Sequence, residues 1–519
     1  MSTGTVRDDS TARAGAPTAP GGLQQGLKRR HMQLIALGGV IGAGLFVGSG
    51  VVVRSTGPAA VLSFLAAGVL TVLIMRMLAE MTVARPALGS FYAHVRETLG
   101  LRAGFTVGWL YWYFFVIVVA VEAVAGGRIV QLWLPGVPLW AVSLVLMALL
   151  TATNMVSARS YGEFEYWFSS VKVLAIVVFL LLGALYVLGL WPDAPGGLGR
   201  LTAHGGFAPE GVGAVLAAVV PCIGFFTGAE IVTIAAAESV EPERAVADAI
   251  RSIVLRVVAF YVLSIFLVVT VVPWTSKAIE VSPYAAVLDR LAVPAAGTVM
   301  NALVLIAVLS CLNSALYTSS RMLFALTRNG DAPRGFTKVS ASGVPRRALL
   351  AGTSVGYLSV IAAWVSPDVV FQFLINSYGA IALFVYLAIA VAQVRMRRKL
   401  ERTEPERLTL KMWLFPWLSW VTIALMAAVI GAMAFLPDSR SQFWLSLLTV
   451  AVVLTGYELR RRNGPAGPPR PRDTDPDTDT DADADADADA EEAGPRERTT
   501  SSSDVQAALS SIRLEGDAP

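Results

Sequence analysis

The chain has 519 residues, of which 55% are apolar and 15% are charged. Ordinary soluble domains are about 45–50% apolar and about 25% charged, so this composition excludes a disordered, collagen-like or disulfide-scaffold protein. The net charge of +3 hides two opposed parts. Residues 1–462 hold 36 Lys and Arg against 23 Asp and Glu, whereas residues 463–519 hold 5 against 15. Only two cysteines are present, both in apolar runs, which argues against a disulfide framework or a metal cluster.

Twelve apolar runs are long enough to cross a bilayer, whose hydrocarbon core of about 30 Å needs about 20 helical residues. They lie at 31–53, 58–80, 103–131, 138–157, 164–191, 212–238, 253–274, 294–326, 347–365, 369–394, 413–436 and 441–460. Lys and Arg near the ends of spans favour the cytoplasmic side. With both termini cytoplasmic, the segments at the cytoplasmic ends of the spans, including those next to the two tails, hold 26 Lys and Arg, and the external loops hold five. The sequence therefore predicts an all-α integral membrane protein with twelve transmembrane helices.

Three regions follow from this pattern. Residues 1–30 are predicted to be a cytoplasmic N-terminal tail, and they contain no apolar run of the kind found in a signal peptide. Residues 31–462 form the twelve-helix domain. Residues 463–519 are predicted to be a disordered cytoplasmic tail, because acidic residues alternate with Thr, Ala and Pro and leave almost nothing to bury.

Two of the predicted spans are interrupted near their midpoints. Gly42-Ala43-Gly44 interrupts the first, and Pro221, Gly224 and Gly228 interrupt the sixth. Paired interruptions in corresponding spans of two five-helix halves indicate a binding site between inverted repeats. The alternative for the first span is close helix packing through its small residues.

Broken helices expose amide N–H groups that attract an anion and carbonyl groups that attract a cation. A zwitterion fits such a site. We expect its carboxylate at the N–H groups around Gly42 to Gly44, and its ammonium at the carbonyls around Phe225 to Thr227.

Ionisable residues within membrane spans are costly to insert, so each is a candidate for function. Glu122 lies in the third span, Lys172 at the middle of the fifth, and Glu230 two residues after Gly228. Two structural alternatives stay open. Lys172 can form a permanent ion pair with a carboxylate such as Glu122, and Glu230 can stabilise the helix that starts after the break.

Several segments together resemble one transporter family. They include GGVIGAGLFVGSG (38–50), YGEFEYWFSSVKVLAI (161–176), FFTGAEIVTIAAAES (225–239) and SCLNSALYTSSRMLFALTRNGDAP (310–333). Over about residues 28–460 the chain resembles the amino acid transporter family of the amino acid–polyamine–organocation superfamily, and within it the γ-aminobutyrate permeases. Phe114 and Phe115 depart from the pattern, since relatives often have Trp near these positions.

The resemblance implies a five-plus-five inverted-repeat (LeuT-like) core with broken helices 1 and 6, two extra helices, and uptake of a small amino acid driven by protons. It also implies that Lys172 occupies the place of a sodium ion in sodium-driven relatives. The candidate substrate-binding residues are Ile41, Gly42, Ala43, Gly44, Phe225, Phe226, Thr227, Gly228, Glu230, Asn313 and Ser314. The candidate proton-coupling residues are Lys172, Glu122 and Glu230.

We therefore expect a proton symporter of the plasma (inner) membrane that imports γ-aminobutyrate. Its expected partners are the amino acid, protons and the lipid bilayer, with no nucleic acid, cofactor or metal. Other readings are a permease for another neutral or aromatic amino acid, an exchanger, a channel or an amino acid sensor. An enzyme is disfavoured because His31, His94 and His204 all lie at or outside the predicted helix ends.

Overall fold

The computed structural model describes residues 41–42, 44–192, 197–235, 246, 256–340, 342–365 and 380–462. Every regular element in these ranges is helical, so the prediction of an all-α protein is confirmed. Both predicted tails, 1–30 and 463–519, lie outside the described residues.

The first half of the described chain starts with a π-helical turn, Gly44–Gly48, that continues directly into α1. Its helices are α1 (Ser49–Thr56), α2 (Ala60–Ala84), α3 (Phe91–Leu99), α4 (Leu101–Gln131), α5 (Leu139–Val156) and α6 (Ala158–Val187). Gly100 separates α3 from α4 with φ = +94°, a conformation that favours glycine, and Pro138 precedes α5. The short helix α3 was not among the predicted elements.

The second half begins after α6 and contains a helix that is interrupted at residues 227–230. Its helices are α7 (Gly211–Phe226), α8 (Ile231–Ala235), α9 (Ser264–Val271, preceded by a π-helical segment, Arg256–Leu263), α10 (Lys277–Val281), α11 (Pro283–Arg290), α12 (Ala296–Arg328), α13 (Arg346–Val365), α14 (Ile381–Thr403), α15 (Trp417–Met433) and α16 (Pro437–Arg462). The two short helices α10 and α11 fall between predicted spans.

Seven helical stretches among the described residues are long and apolar enough to cross a membrane. They are Gly44–Ala84, Leu101–Gln131, Leu139–Val156, Tyr161–Val187, Gly211–Ile234, Gly297–Arg328 and Ser439–Arg462. Phe260–Val271 and Trp417–Met433 are apolar but shorter. Large apolar side chains such as Leu181, Trp364 and Val452 are exposed. Outward-facing apolar surface of this kind is typical of a protein that contacts hydrocarbon rather than water.

Two long helices form the centre of the protein. α4 packs against α3, α5, α12 and α13, while α12 also packs against α5 and α6. Val119 and Ala123 on α4 and Ala307 and Leu312 on α12 are fully buried. The π-helical turn and α1 pack on α7, so the two interrupted segments lie side by side next to this centre.

Candidate substrate-binding site

A cavity lies where the two interrupted segments meet α4 and α12. Its free volume is about 90 Å³ for a water-sized sphere, several times the roughly 10–15 Å³ that one water molecule needs. The cavity is lined by Gly42, Gly44, Phe114, Phe115, Val118, Val121, Glu122, Gly224, Phe225, Thr227, Gly228, Ile231, Cys311 and Ser314.

The chain enters this cavity at Ile41 and Gly42, which are not helical, and the π-helical turn starts at Gly44. Leu45 N donates to Gly42 O at 3.2 Å, while Ile41 O accepts a hydrogen bond from the Lys172 ammonium at 2.8 Å. A peptide carbonyl thus binds a cation instead of continuing a helix. Ala43, one of the candidate residues, lies outside the described residues.

The second interruption lies between α7 and α8. α7 ends at Phe226, Thr227 adopts an extended conformation (φ −63°, ψ 137°), and Gly228 has φ = +110°. Only glycine adopts such a φ without strain, so Gly228 allows the chain to turn before α8 begins at Ile231. Pro221 within α7 removes one helical N–H donor a turn and a half before the break.

The phenyl ring of Phe225 joins the two interruptions. A Cβ at Gly44 would lie 2.7 Å from Phe225 Cδ1, and one at Gly48 would lie 2.7 Å from Phe225 Cζ. The ring therefore packs on both glycines, which accounts for the small residues at these two positions as close packing. Close packing, one of the two interpretations of the glycine cluster, therefore occurs in this segment. A helix break at these glycines stays a prediction, because residues 31–40 lie outside the described residues.

Glu122 lies on the cavity wall beside the first interruption. Its side chain is 7% exposed, and its Oε2 is buried without a hydrogen-bond partner among the described residues. Glu122 shares a hydrogen bond with the Cys311 thiol, and Glu122 Oε1 lies 3.9 Å from the position of a Cβ on Gly42. A carboxylate with unused hydrogen-bonding capacity thus lies next to the expected anion site.

Glu230 lies behind the cavity wall, fully buried, with both carboxylate oxygens occupied. Gly228 N donates to Oε1 and Oε2, each at 3.1 Å. Tyr111 donates to Oε1 at 2.9 Å, and Tyr386 donates to Oε2 at 2.8 Å. These contacts tie the α7–α8 junction to α4 and α14.

Lys172 is buried on α6 and does not line the cavity. Its ammonium donates to Ile41 O and to Ser310 Oγ, both at 2.8 Å. It also lies 3.9 Å from Oε1 of Glu165, a residue that the sequence analysis did not single out.

The remaining candidates divide between the cavity and its surroundings. Ser314 lines the cavity, whereas Asn313 accepts a hydrogen bond from Asn154 Nδ2 at 2.7 Å. Phe226 is fully buried and packs on Tyr261, with ring centroids 4.3 Å apart.

Seven cavity residues were absent from the candidate list. Those on α4 are Phe114, Phe115, Val118 and Val121, which lie eight, seven, four and one residues before Glu122, close to the pattern of one helix face. That periodicity could have found them. Gly224 belongs to the interruption that the sequence predicted in the sixth span. Ile231 and Cys311 carry no local signal, because their neighbours in space come from other helices.

Residues 31–467 match the amino acid permease family, and the chain belongs to this family. Its members are permeases, and with the long apolar helices this makes the chain a multi-pass membrane protein that transports amino acids. The family resemblance found in the sequence is therefore confirmed.

Relatives within the family include γ-aminobutyric acid permeases. The one from Bacillus subtilis is 51% identical over 442 residues, covering 85% of this chain and 94% of that protein. The one from Escherichia coli is 46% identical, covering 85% and 95%. An aromatic amino acid transport protein from Corynebacterium glutamicum is 37% identical, covering 83% and 93%.

A solved structure is also similar in fold. The crystal structure of a manganese transporter from Eremococcus coleocola, in complex with an aromatic bis-isothiourea compound, has a TM-score of 0.52 to this chain. It covers 84% of this chain and 95% of its own, at 14% identity. That likeness concerns the fold alone.

Proposed function

We propose that this protein imports γ-aminobutyrate together with a proton across the plasma membrane by alternating access. The observation that carries the proposal is the cavity in which both interrupted segments and the carboxyl group of Glu122 meet. The 46–51% identity to γ-aminobutyric acid permeases supports the choice of substrate.

We expect opposite polarities at the two sides of the cavity. Backbone N–H groups at Gly42 to Gly44 suit a carboxylate, and carbonyl groups at the end of α7 suit an ammonium. Phe225 O accepts from Tyr261 Oη at 3.2 Å, which leaves its second lone pair for a ligand. A small ω-amino acid separates its charges along its chain, so it can reach both sides at once.

Protonation of Glu122 would link substrate to proton. A substrate carboxylate at Gly42 would lie close to the Glu122 carboxyl group. Two carboxylates at that separation repel each other, whereas a protonated Glu122 can donate a hydrogen bond. By reciprocity, a proton that favours substrate binding is held more tightly while substrate is bound.

Lys172 would supply the second element of coupling. Its ammonium binds Ile41 O at the first interruption, next to the expected carboxylate position. A positive charge there attracts the substrate anion, and its loss would release both the anion and the peptide carbonyl of Ile41. The proton affinity of Lys172 can therefore follow the conformation of the first helix.

The finer architecture is part of the same proposal. We infer twelve spans over residues 31–462, both termini in the cytoplasm and a five-plus-five inverted repeat followed by two helices. The long described helices overlap predicted apolar runs, and the non-helical residues at 41–42 and 227–230 fall in the first and sixth predicted spans, which supports this arrangement.

The test is uptake of labelled γ-aminobutyrate into proteoliposomes with an imposed inward proton gradient. We expect uphill accumulation, displaced by unlabelled ω-amino acids and only weakly by phenylalanine or lysine. Preferential displacement by phenylalanine would instead support an aromatic amino acid permease. Uptake that requires internal amino acid but no gradient would identify an exchanger, and single-channel currents would identify a channel.

A further inference from the structure

Glu165 and Lys172 form a buried polar network together with Ser310. Both charged side chains have no exposed surface, and Nζ of Lys172 lies 3.9 Å from Oε1 of Glu165. Ser310 Oγ bridges them, since it accepts from the Lys172 ammonium at 2.8 Å and donates to Glu165 Oε1 at 2.6 Å. Ser169 donates to the same oxygen at 2.8 Å.

The sequence spacing produces this pair. Glu165 and Lys172 are seven residues apart on α6, which is close to two helical turns, so their side chains share one face. Ser310 comes from α12, and Ile41 O comes from the chain before the π-helical turn. The network thus joins α6, α12 and the first interrupted segment at the point where the Lys172 ammonium binds.

Half of the Glu165 carboxyl group is unused in this arrangement. Oε1 accepts both serine hydroxyls, whereas Oε2 is buried without a hydrogen-bond partner among the described residues. A purely structural carboxylate is expected to have both oxygens satisfied, as Glu230 does. The Glu165 carboxyl group thus directs one oxygen toward Ser310 and Lys172 and keeps unused hydrogen-bonding capacity on the other.

We infer that Glu165 is the positioning residue of Lys172: acting directly and through Ser310, it keeps the ammonium protonated and fixed on Ile41 O while the transporter waits for substrate. The inference rests on the proposed proton symport. A desolvated ammonium is unstable without an opposite charge nearby, and Glu165 provides that charge from the same helix. Removing the carboxylate should make Lys172 lose its proton at a lower pH.

Other titratable groups face the same site. Glu122 on α4 and Cys311 on α12 both interact electrostatically with Lys172. Glu165 differs from Glu122 in two respects: it does not line the cavity, and it is bridged to the ammonium by a hydroxyl. We therefore expect Glu165 to affect substrate binding by holding Lys172 in place, and not by contacting the substrate itself.

The test compares Glu165→Gln with wild type in proteoliposomes, with γ-aminobutyrate accumulation measured across external pH 5–8. We expect the pH of half-maximal accumulation to move at least one unit, or tenfold in proton concentration, to the acidic side. Counterflow exchange of substrate at pH 5 should stay within about threefold of wild type. Ser310→Ala should shift the profile in the same direction by a smaller amount.

Glu163→Gln is the matched control, since it makes the same change on the same helix two residues away, and it should leave the profile in place. Lys172→Met serves as the reference variant, in which we expect complete loss of gradient-driven accumulation. If Glu165→Gln does not give folded protein, Ser310→Ala decides, because it removes the bridge and keeps both charges.

An unshifted profile in either folded variant overturns the inference. The inference is also overturned if both variants lose folded protein, counterflow and accumulation in the same proportion. The network would then have a structural role only. If wild-type protein accumulates no substrate under a proton gradient, the proposed symport fails first, and the inference fails with it. Accumulation by wild type with an unchanged profile in Glu165→Gln refutes the inference alone.

Discussion

Glu122 and Glu230 are two buried carboxyl groups that were both predicted from the sequence as candidate proton-coupling residues. In the structure, Glu230 accepts hydrogen bonds from two tyrosines and a backbone amide, whereas Glu122 lines the cavity with one oxygen lacking a partner among the described residues. A carboxylate whose capacity is already filled holds helices together. One with unused capacity at a cavity wall is available to a ligand or a proton.

The largest expected effect comes from Glu230→Ala. The substitution leaves Tyr111, Tyr386 and Gly228 N without their acceptor, and each buried unsatisfied donor costs about 1–3 kcal/mol. We expect the free energy of unfolding to fall by about 3 kcal/mol or more, measured as a large drop in the thermal unfolding midpoint of purified protein. Tyr386→Phe, which removes a donor together with its bond, should lower stability by only about 1 kcal/mol.

A Glu230→Ala protein with a wild-type unfolding midpoint and no transport would reverse the comparison. It would place Glu230 with the transport groups.

His94 extends the comparison to a buried group away from the cavity. It lies on α3, outside the long spans, and its Nε2 has no partner among the described residues. Burial lowers the pKa of His94 to about 4; nearby Glu97 opposes this effect and Arg85 adds to it. Because His94 does not line the cavity at Glu122, its protonation should matter for stability only.

The unfolded chain binds a proton on His94 below pH of about 6.5, whereas the folded protein binds one only near pH 4. Stability should therefore fall as the pH drops from 6.5 toward 4, by about 2 kcal/mol at pH 5. Unfolding midpoints at pH 7 and pH 5 measure this loss. His94→Gln should remove most of this decrease in stability between pH 7 and pH 5. An equal decrease in the variant would show that other groups cause the effect.

Glu122→Gln tests the carboxyl group at the cavity, whose Oε2 lacks a hydrogen-bond partner among the described residues. Glutamine resembles the protonated form, so γ-aminobutyrate should bind the variant about equally at pH 5 and pH 8. In wild-type protein, affinity should weaken about tenfold over this range, which corresponds to about 1.4 kcal/mol. Equilibrium binding of labelled substrate to purified protein provides the measurement, with Glu163→Gln as control.

Full retention of the wild-type pH dependence in Glu122→Gln would move the coupling proton away from Glu122. The pair of Lys172 and Glu165 would then be its site.

The smallest expected effect is that of Cys311→Ala. The thiol is a weak donor to Glu122, and its loss should change the affinity for γ-aminobutyrate at pH 5 by about twofold or less. Cys311→Ser, with a stronger donor at the same place, serves as the matched variant. A tenfold loss of affinity in Cys311→Ala would show that the thiol, rather than the Glu122 carboxyl group, determines how this side of the cavity binds substrate.

Much of this protein followed from its sequence alone. Apolar runs of about 20 residues bounded by charge determine helices, because backbone in hydrocarbon must satisfy its own hydrogen bonds within each segment. Glycines and a proline near the middle of two runs marked the segments that line the cavity, and the motifs established the family. These signals are local, since each is read within one stretch of chain.

Only the tertiary structure decided how the polar groups are shared. Glu165 and Lys172 face each other through a serine that is 138 residues away from Lys172 in the chain, and the two tyrosines on Glu230 come from α4 and α14. Likewise, Phe225 packs on Gly44 and Gly48 across the two interruptions. Which carboxylate is satisfied and which stays open depends on donors brought together by helix packing, and no spacing within one segment determines that.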